Sequence, residues 1–142
     1  MGLKLIIFLH IIAATIWTGG HLILSLVYLP KALKLNDFSI IESFESKYER
    51  IGIPSLIILI ITGIYITTVY APRLFDFNDH YTKHITIKLG LLLCTIALAI
   101  HARFFLIPKK KLKPLAYHII IVTILSVFFV FVGFSARSGG LL

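Results

Sequence analysis

Six histidines (His10, His21, His80, His84, His101 and His118) stand in a chain of 142 residues that is 58% hydrophobic. A neutral imidazole offers a lone pair to iron, copper or zinc without burying net charge. Ionisable side chains inside a membrane are costly and mark function. The other chemistry-bearing residues narrow the options. The acids, six in all, fall outside the long apolar runs, so no carboxylate pair is placed for acid–base work. A Glu-x-x-His di-metal pattern, a Ser–His–Asp order, a Gly-rich phosphate loop and a Cys-x-x-Cys are all missing. One Met and one Cys (Cys94) leave little soft sulfur for Cu(I), and a lone Cys leaves the redox compartment unread.

The elements that must position these histidines are four apolar runs, at about 5–29, 51–70, 84–107 and 115–136, each close to the roughly 20 residues a spanning helix needs. Pro30, Pro72 and Pro108 lie just past the first three, where proline ends helices, and Pro54 and Pro114 lie at helix starts. Runs this long must satisfy their backbone internally, which excludes lone strands. The expectation is an all-α fold, a single domain over 1–142, built as an integral membrane antiparallel four-helix bundle. The first run is too long for a signal-peptide core and no small-residue cleavage site closes it, so it is expected to stay as an anchor. Residues 36–50 mix both charges and predict a short amphipathic helix at the interface.

The formal charge is +8, from 14 Lys and Arg against 6 Asp and Glu. In so apolar a chain this is a topology signal and not a nucleic-acid footprint. The side holding the loops after helices one and three carries Lys31, Lys34, Lys47, Arg50, Arg103, Lys109, Lys110, Lys111 and Lys113. The terminal side carries Lys4, Arg73, Lys83, Lys88 and Arg137. The bias predicts cytoplasmic loops. The expected location is a bacterial inner membrane, with the termini on the periplasmic side.

Depth then sorts the histidines. At about 1.5 Å per residue, His21, His101 and His118 fall within one to two turns of the loop side, on three different helices. They form the expected inner layer. His10 and His84 form a weaker layer near the terminal side, and His80 is read as a structural residue in the loop before helix three. His10 and His21 share a face, roughly 16 Å apart, with Trp17 between them. On helix three Gly90, Cys94, Ala97 and His101 make a small-residue stripe, fit for helix packing or for a flat macrocycle. Gly19-Gly20 before His21 fits packing, a kink, or a ligand ring close to the backbone. Lys88 would snorkel or neutralise a propionate or another anion.

Two metal readings follow. In the first the chain binds one or two haem b groups for electron transfer or membrane oxidoreductase chemistry. His21 with His101 or His118 would hold one haem, His10 with His84 the other, and Trp17 would pack between them. In the second, His21, His101 and His118 bind copper as a three-nitrogen site. A third reading is an accessory membrane subunit whose histidines are only hydrogen-bonded. The expected partners are the lipid bilayer, a redox protein or quinone, and further copies of the chain.

The stretch Leu9 to His21 (LHIIAATIWTGGH) resembles the first-helix signature of the copper resistance protein D family. Phe44 to Pro54 (FESKYERIGIP), Lys88-Leu89, His101-Ala102-Arg103-Phe104 and Ser135 to Gly140 (SARSGG) are also similar to it. That resemblance implies copper handling in the membrane. His10, Trp17, Tyr48-Glu49-Arg50 and Lys88 more distantly resemble the HemJ membrane protoporphyrinogen oxidase family, which implies a haem-containing helical core.

Overall fold

The computed structural model describes residues 1–140. Among them every regular element is helical and no strand occurs. Four helices are long and apolar enough to cross a membrane: α1 (Gly2–Leu35), α2 (Phe38–Tyr70), α3 (His80–Leu106) and α4 (Leu112–Arg137). The all-α four-helix expectation therefore holds, with consecutive helices antiparallel across short connections.

The helix ends differ from the sequence expectation for identifiable reasons. α1 does not stop at Pro30. A π-helical turn at Leu24–Tyr28 widens the backbone, so Pro30 falls in the first turn of the closing segment Leu29–Leu35. There a missing N–H leaves no bond unmade. α1 ends instead at Asn36, whose left-handed backbone (φ 48°, ψ 43°) closes a helix and is tolerated by Asn. Asp37 follows at once as the cap of α2, its Oδ1 accepting from the Ser39 amide at 3.0 Å and hydroxyl at 2.6 Å. The stretch 36–50 is therefore not a separate interfacial helix. From Phe38 onward it is the start of α2, which runs without a break through Pro54.

The start of α3 matters more. Asp79 accepts from the Thr82 amide at 2.9 Å and from its hydroxyl at 2.7 Å, so the helix opens at His80. This moves His80 from a loop onto α3, one turn before His84. Hydrogen bonds from the Thr82 hydroxyl and then its amide hold the Asp79 carboxyl below the usual carboxylate range. A carboxyl depressed in the folded state stabilises above its unfolded value and loses that contribution as pH falls through the folded one. Acidification below about pH 4 is therefore expected to fray the first turn of α3. The check is hydrogen exchange at the Thr82 amide, corrected for intrinsic rates. Protection should fall with pH in the wild type, whereas in Asp79→Ala it should be low throughout.

α1 packs along α2 on one side and against α4 on the other, and α3 packs on the far side of α4. α2 and α3 scarcely touch. At about 1.5 Å per residue α1 and α2 are each near 50 Å long, well beyond a hydrocarbon core of roughly 30 Å. Their loop-side ends must tilt or project into water. There the buried apolar cluster lies, including Leu29, Ile41, Leu106, Leu115 and Ile119. Burial from water drives packing at this end. Deeper in lipid, close van der Waals fit must do so.

Candidate functional site

His21 stands on α1 with its Nδ1 2.8 Å from the Trp17 carbonyl one turn earlier. A carbonyl only accepts, so Nδ1 carries the proton and Nε2 the lone pair. The His21 ring lies 4.4 Å, centroid to centroid, from Trp17 and 5.8 Å, edge-on, from Tyr48 of α2. The Tyr48 hydroxyl donates to the carbonyls of Ile16 and Trp17, both at 3.1 Å. Its ring occupies the notch between Gly20 and Gly52. A Cβ at Gly20 would stand 2.1 Å from Tyr48 Cε2, and one at Gly52 2.7 Å from Cε1. The ring that Gly20 admits to the α1 backbone is thus the chain's own tyrosine. Sequence reasoning gives Tyr48 no role beyond its place in the family-like stretches, although Gly52, one turn after it, was the available signal.

On the other side of α4 a different pair forms. His101 Nδ1 of α3 lies 2.8 Å from His118 Nε2 of α4, and the two rings stack with centroids 4.9 Å apart and planes 22° from parallel. His118 Nδ1 is 2.9 Å from the Pro114 carbonyl and must donate to it. His118 Nε2 is then the acceptor, and His101 Nδ1–H donates to it. Phe105 stacks on the open side of His101 at 5.4 Å. Beside this pair Arg103 is salt-bridged to Glu49, tying α3 to α2 where the helices otherwise barely meet. Both partners are substantially exposed, so Arg103→Ala is expected to cost no more than about 1 kcal/mol in thermal unfolding in detergent.

At the terminal side His84 is 1% exposed. Its Nδ1 donates to the His80 carbonyl at 2.6 Å and its Nε2 meets the Ser135 hydroxyl of α4 at 3.0 Å. His80 gives its Nε2 proton to the Ala136 carbonyl at 3.2 Å. The rings of His80 and His84 lie 4.3 Å apart. His10 bonds Thr62 of α2 through Nδ1 at 2.7 Å. The Thr62 hydroxyl donates to Ile58, so His10 is the donor and Nε2 keeps its lone pair. Lys88 reaches across to α4, its Nζ 2.9 Å from where a Cβ on Gly133 would stand.

The histidines are therefore not gathered as the depth argument expected. Two of the inner three, His101 and His118, touch. His21 turns to Trp17 and Tyr48 instead, because α4 lies between α1 and α3. Among the described residues no group of three or more His, Cys, Asp or Glu could hold a metal. His84 pairs with His80 and Ser135, and His10 with Thr62, so the expected His10–His84 pair is replaced by two hydrogen-bonded groups. Iron between two axial imidazoles needs nitrogens about 4 Å apart, given bonds near 2.0 Å. At 2.8 Å the His101–His118 pair is too close for a haem between them. It is close enough for one ion bound at two adjacent positions. Two bonds of about 2.0 Å spanning that gap meet at roughly a right angle, as in tetragonal Cu(II).

A family model described as copper resistance protein D matches residues 42–136. The chain belongs to the copper resistance protein D family. No curated protein and no solved structure shows significant similarity to it. The family match covers α2 beyond its first turn, all of α3 and nearly all of α4. It therefore takes in His101, His118, Tyr48, His84 and Lys88, while His10, Trp17 and His21 on α1 lie outside it. With four apolar helices, this copper resistance protein D family member is an integral membrane protein.

Proposed function

We propose that this protein handles copper within the membrane and that the ion docks on His101 and His118. The observation that supports this is the pairing of two imidazoles from facing helices, inside the region matched to the copper resistance protein D family. The ion would take the place of the hydrogen bond between His101 Nδ1 and His118 Nε2. For both rings to bind as neutral imidazoles, the single proton of His101 would shift from Nδ1 to Nε2, while the Pro114 carbonyl would fix the His118 tautomer. Imidazole nitrogen suits Cu(II), and the chain's single Met and single Cys argue against a sulfur-lined Cu(I) path. The excess of Lys and Arg on the loop side supports a topology with this pair toward the cytoplasmic face and the termini periplasmic.

The test is an absorbance spectrum with metal analysis on protein purified in mild detergent, before and after supplying copper or haem. Tightly held copper without a Soret band is the expected result. A Soret band that sharpens with dithionite, with no retained copper, would replace this reading by the haem one.

A further inference from the structure

We propose that Lys88 of α3 and Arg137 of α4, beside His10 of α1, form a binding site for a phosphate group at the terminal-side end of the bundle. The site lies at the opposite end from His101 and His118 and does not rest on the copper reading.

Helix register brings the three residues together. Between α1 and α4 the Thr18 hydroxyl reaches the Ser126 carbonyl at 3.5 Å, and the Thr123 hydroxyl reaches the His21 carbonyl at 3.2 Å. The two helices are antiparallel, so this register sets His10 level with Phe134, next to Gly133. Between α3 and α4 His84 meets the Ser135 hydroxyl at 3.0 Å. Lys88 therefore starts one turn deeper, and its ammonium returns to the level of Gly133, 2.9 Å from where a Cβ there would stand. Arg137 follows Gly133 by one turn on the same face of α4. The positive charges of Lys88 and Arg137 both act on His10, and that of Arg137 acts on Lys88.

Nothing among the described residues balances these charges. The one ion pair there is Arg103–Glu49, at the other end. The two acids of the terminal side, Asp76 and Asp79, accept from Asn78 and Thr82 near their own positions. His10 gives its proton to Thr62 and brings no negative charge. Lys88 is half-buried and makes no hydrogen bond among the described residues. Like charges held together out of bulk water repel, and a partly dehydrated ammonium without a partner gains nothing in return. A lysine that only sought water would be free to turn outward. This one lies against the α4 backbone, in a seat that exists because residue 133 has no side chain. Every sealed side-chain nitrogen or oxygen has a hydrogen-bond partner, so the Lys88 ammonium, which has none, is reachable from outside.

A phosphate supplies the missing charge. Its oxygens surround one centre, so two cations can hold different oxygens of the same group. The Arg137 guanidinium is exposed at the end of α4 and presents a planar fork, while Lys88 offers a point charge below it. Basic pockets between transmembrane helices take lipid head groups by this chemistry. Free inorganic phosphate shares it.

The test follows thermal unfolding of the full chain, purified in mild detergent and stripped of lipid, as phosphatidylglycerol or inorganic phosphate is added. Phosphatidylglycerol is expected to raise the midpoint saturably, because a ligand held only by the folded state stabilises it. Lys88→Met and Arg137→Gln should each raise the half-saturating concentration at least about tenfold, the loss of one charge-assisted hydrogen bond. Lys83→Gln, a basic residue of the same end outside the cluster, should leave it unchanged. Gly133→Ala keeps every charge but fills the seat, so it too should weaken binding, whereas attraction to a diffuse positive surface would not register it. Without lipid, Lys88→Met should be at least as stable as the wild type, since a repelled, unpaired charge is gone, and its lost response is then not a folding defect. A saturable response to inorganic phosphate alone, lost in the same variants, would support the site and make its ligand the free anion. No saturable response to either probe, or one that survives in Lys88→Met and Arg137→Gln, would overturn the site.

Discussion

Replacing His118 with alanine is expected to weaken copper binding at least about 100-fold. Mutating even the outer-shell partners of metal ligands costs about 10–100-fold, and here one of only two donors in the chain is lost. A hundredfold loss is about 2.7 kcal/mol. His101→Ala should do the same, because the remaining imidazole binds the ion alone. His80→Ala should leave binding unchanged, since that ring gives its proton to the Ala136 carbonyl at the opposite end of the bundle. His21→Ala is the informative variant. Its ring is held by Trp17 and Tyr48, away from the pair, so binding should again be unchanged. Copper titrations of the four variants make the comparison. A loss in His21→Ala equal to that in His118→Ala would restore the three-nitrogen layer that depth alone suggested.

Gly20→Ala is expected to destabilise the fold by about 1–3 kcal/mol, the usual range for overpacking. The new methyl would stand 2.1 Å from the Tyr48 ring. That ring cannot simply swing away, because Gly52 walls its other edge, two carbonyls of α1 accept from its hydroxyl, and Phe44 stacks on it at 5.5 Å. The clash therefore separates α1 from α2 at the level of His21. Thermal unfolding in detergent should show a clear drop for Gly20→Ala. Combining it with Tyr48→Ala should cost less than the sum of the two single changes, since removing the ring removes the clash. Additive losses would mean that Gly20 is needed for some reason other than Tyr48.

Much of this architecture is legible in the residues. Four apolar runs give four helices, because a backbone in lipid has no other way to satisfy itself. Helix ends were misplaced where local chemistry overrides proline. Pro30 is absorbed behind a π-helical turn, and the Asn36–Asp37 junction supplies both a helix stop and a helix start. The caps at Asp37 and Asp79 follow ordinary capping preference, so the early start of α3 was readable in principle. At the site, depth put His21 at one level with His101 and His118, but depth says nothing of azimuth. Which helix lies between which decides that His21 is apart from them, and four helices can be ordered in several ways with the same loops. Tyr48 was hidden because its role lies in contacts with Gly20, which reads as a packing glycine until the ring is placed, and with Gly52. Thr62 and Ser135 were hidden for the same reason, as hydroxyls whose partners are on other helices.

The central claim is that copper binds through the imidazoles of His101 and His118. Electron paramagnetic resonance of the Cu(II)-loaded protein tests it most directly, since coupling to ligand nitrogens splits the copper signal. Nitrogen splitting is expected in the wild type, in His21→Ala and in His80→Ala, and its loss in the double variant His101→Ala/His118→Ala. Nitrogen splitting that survives unchanged in the double variant would contradict it.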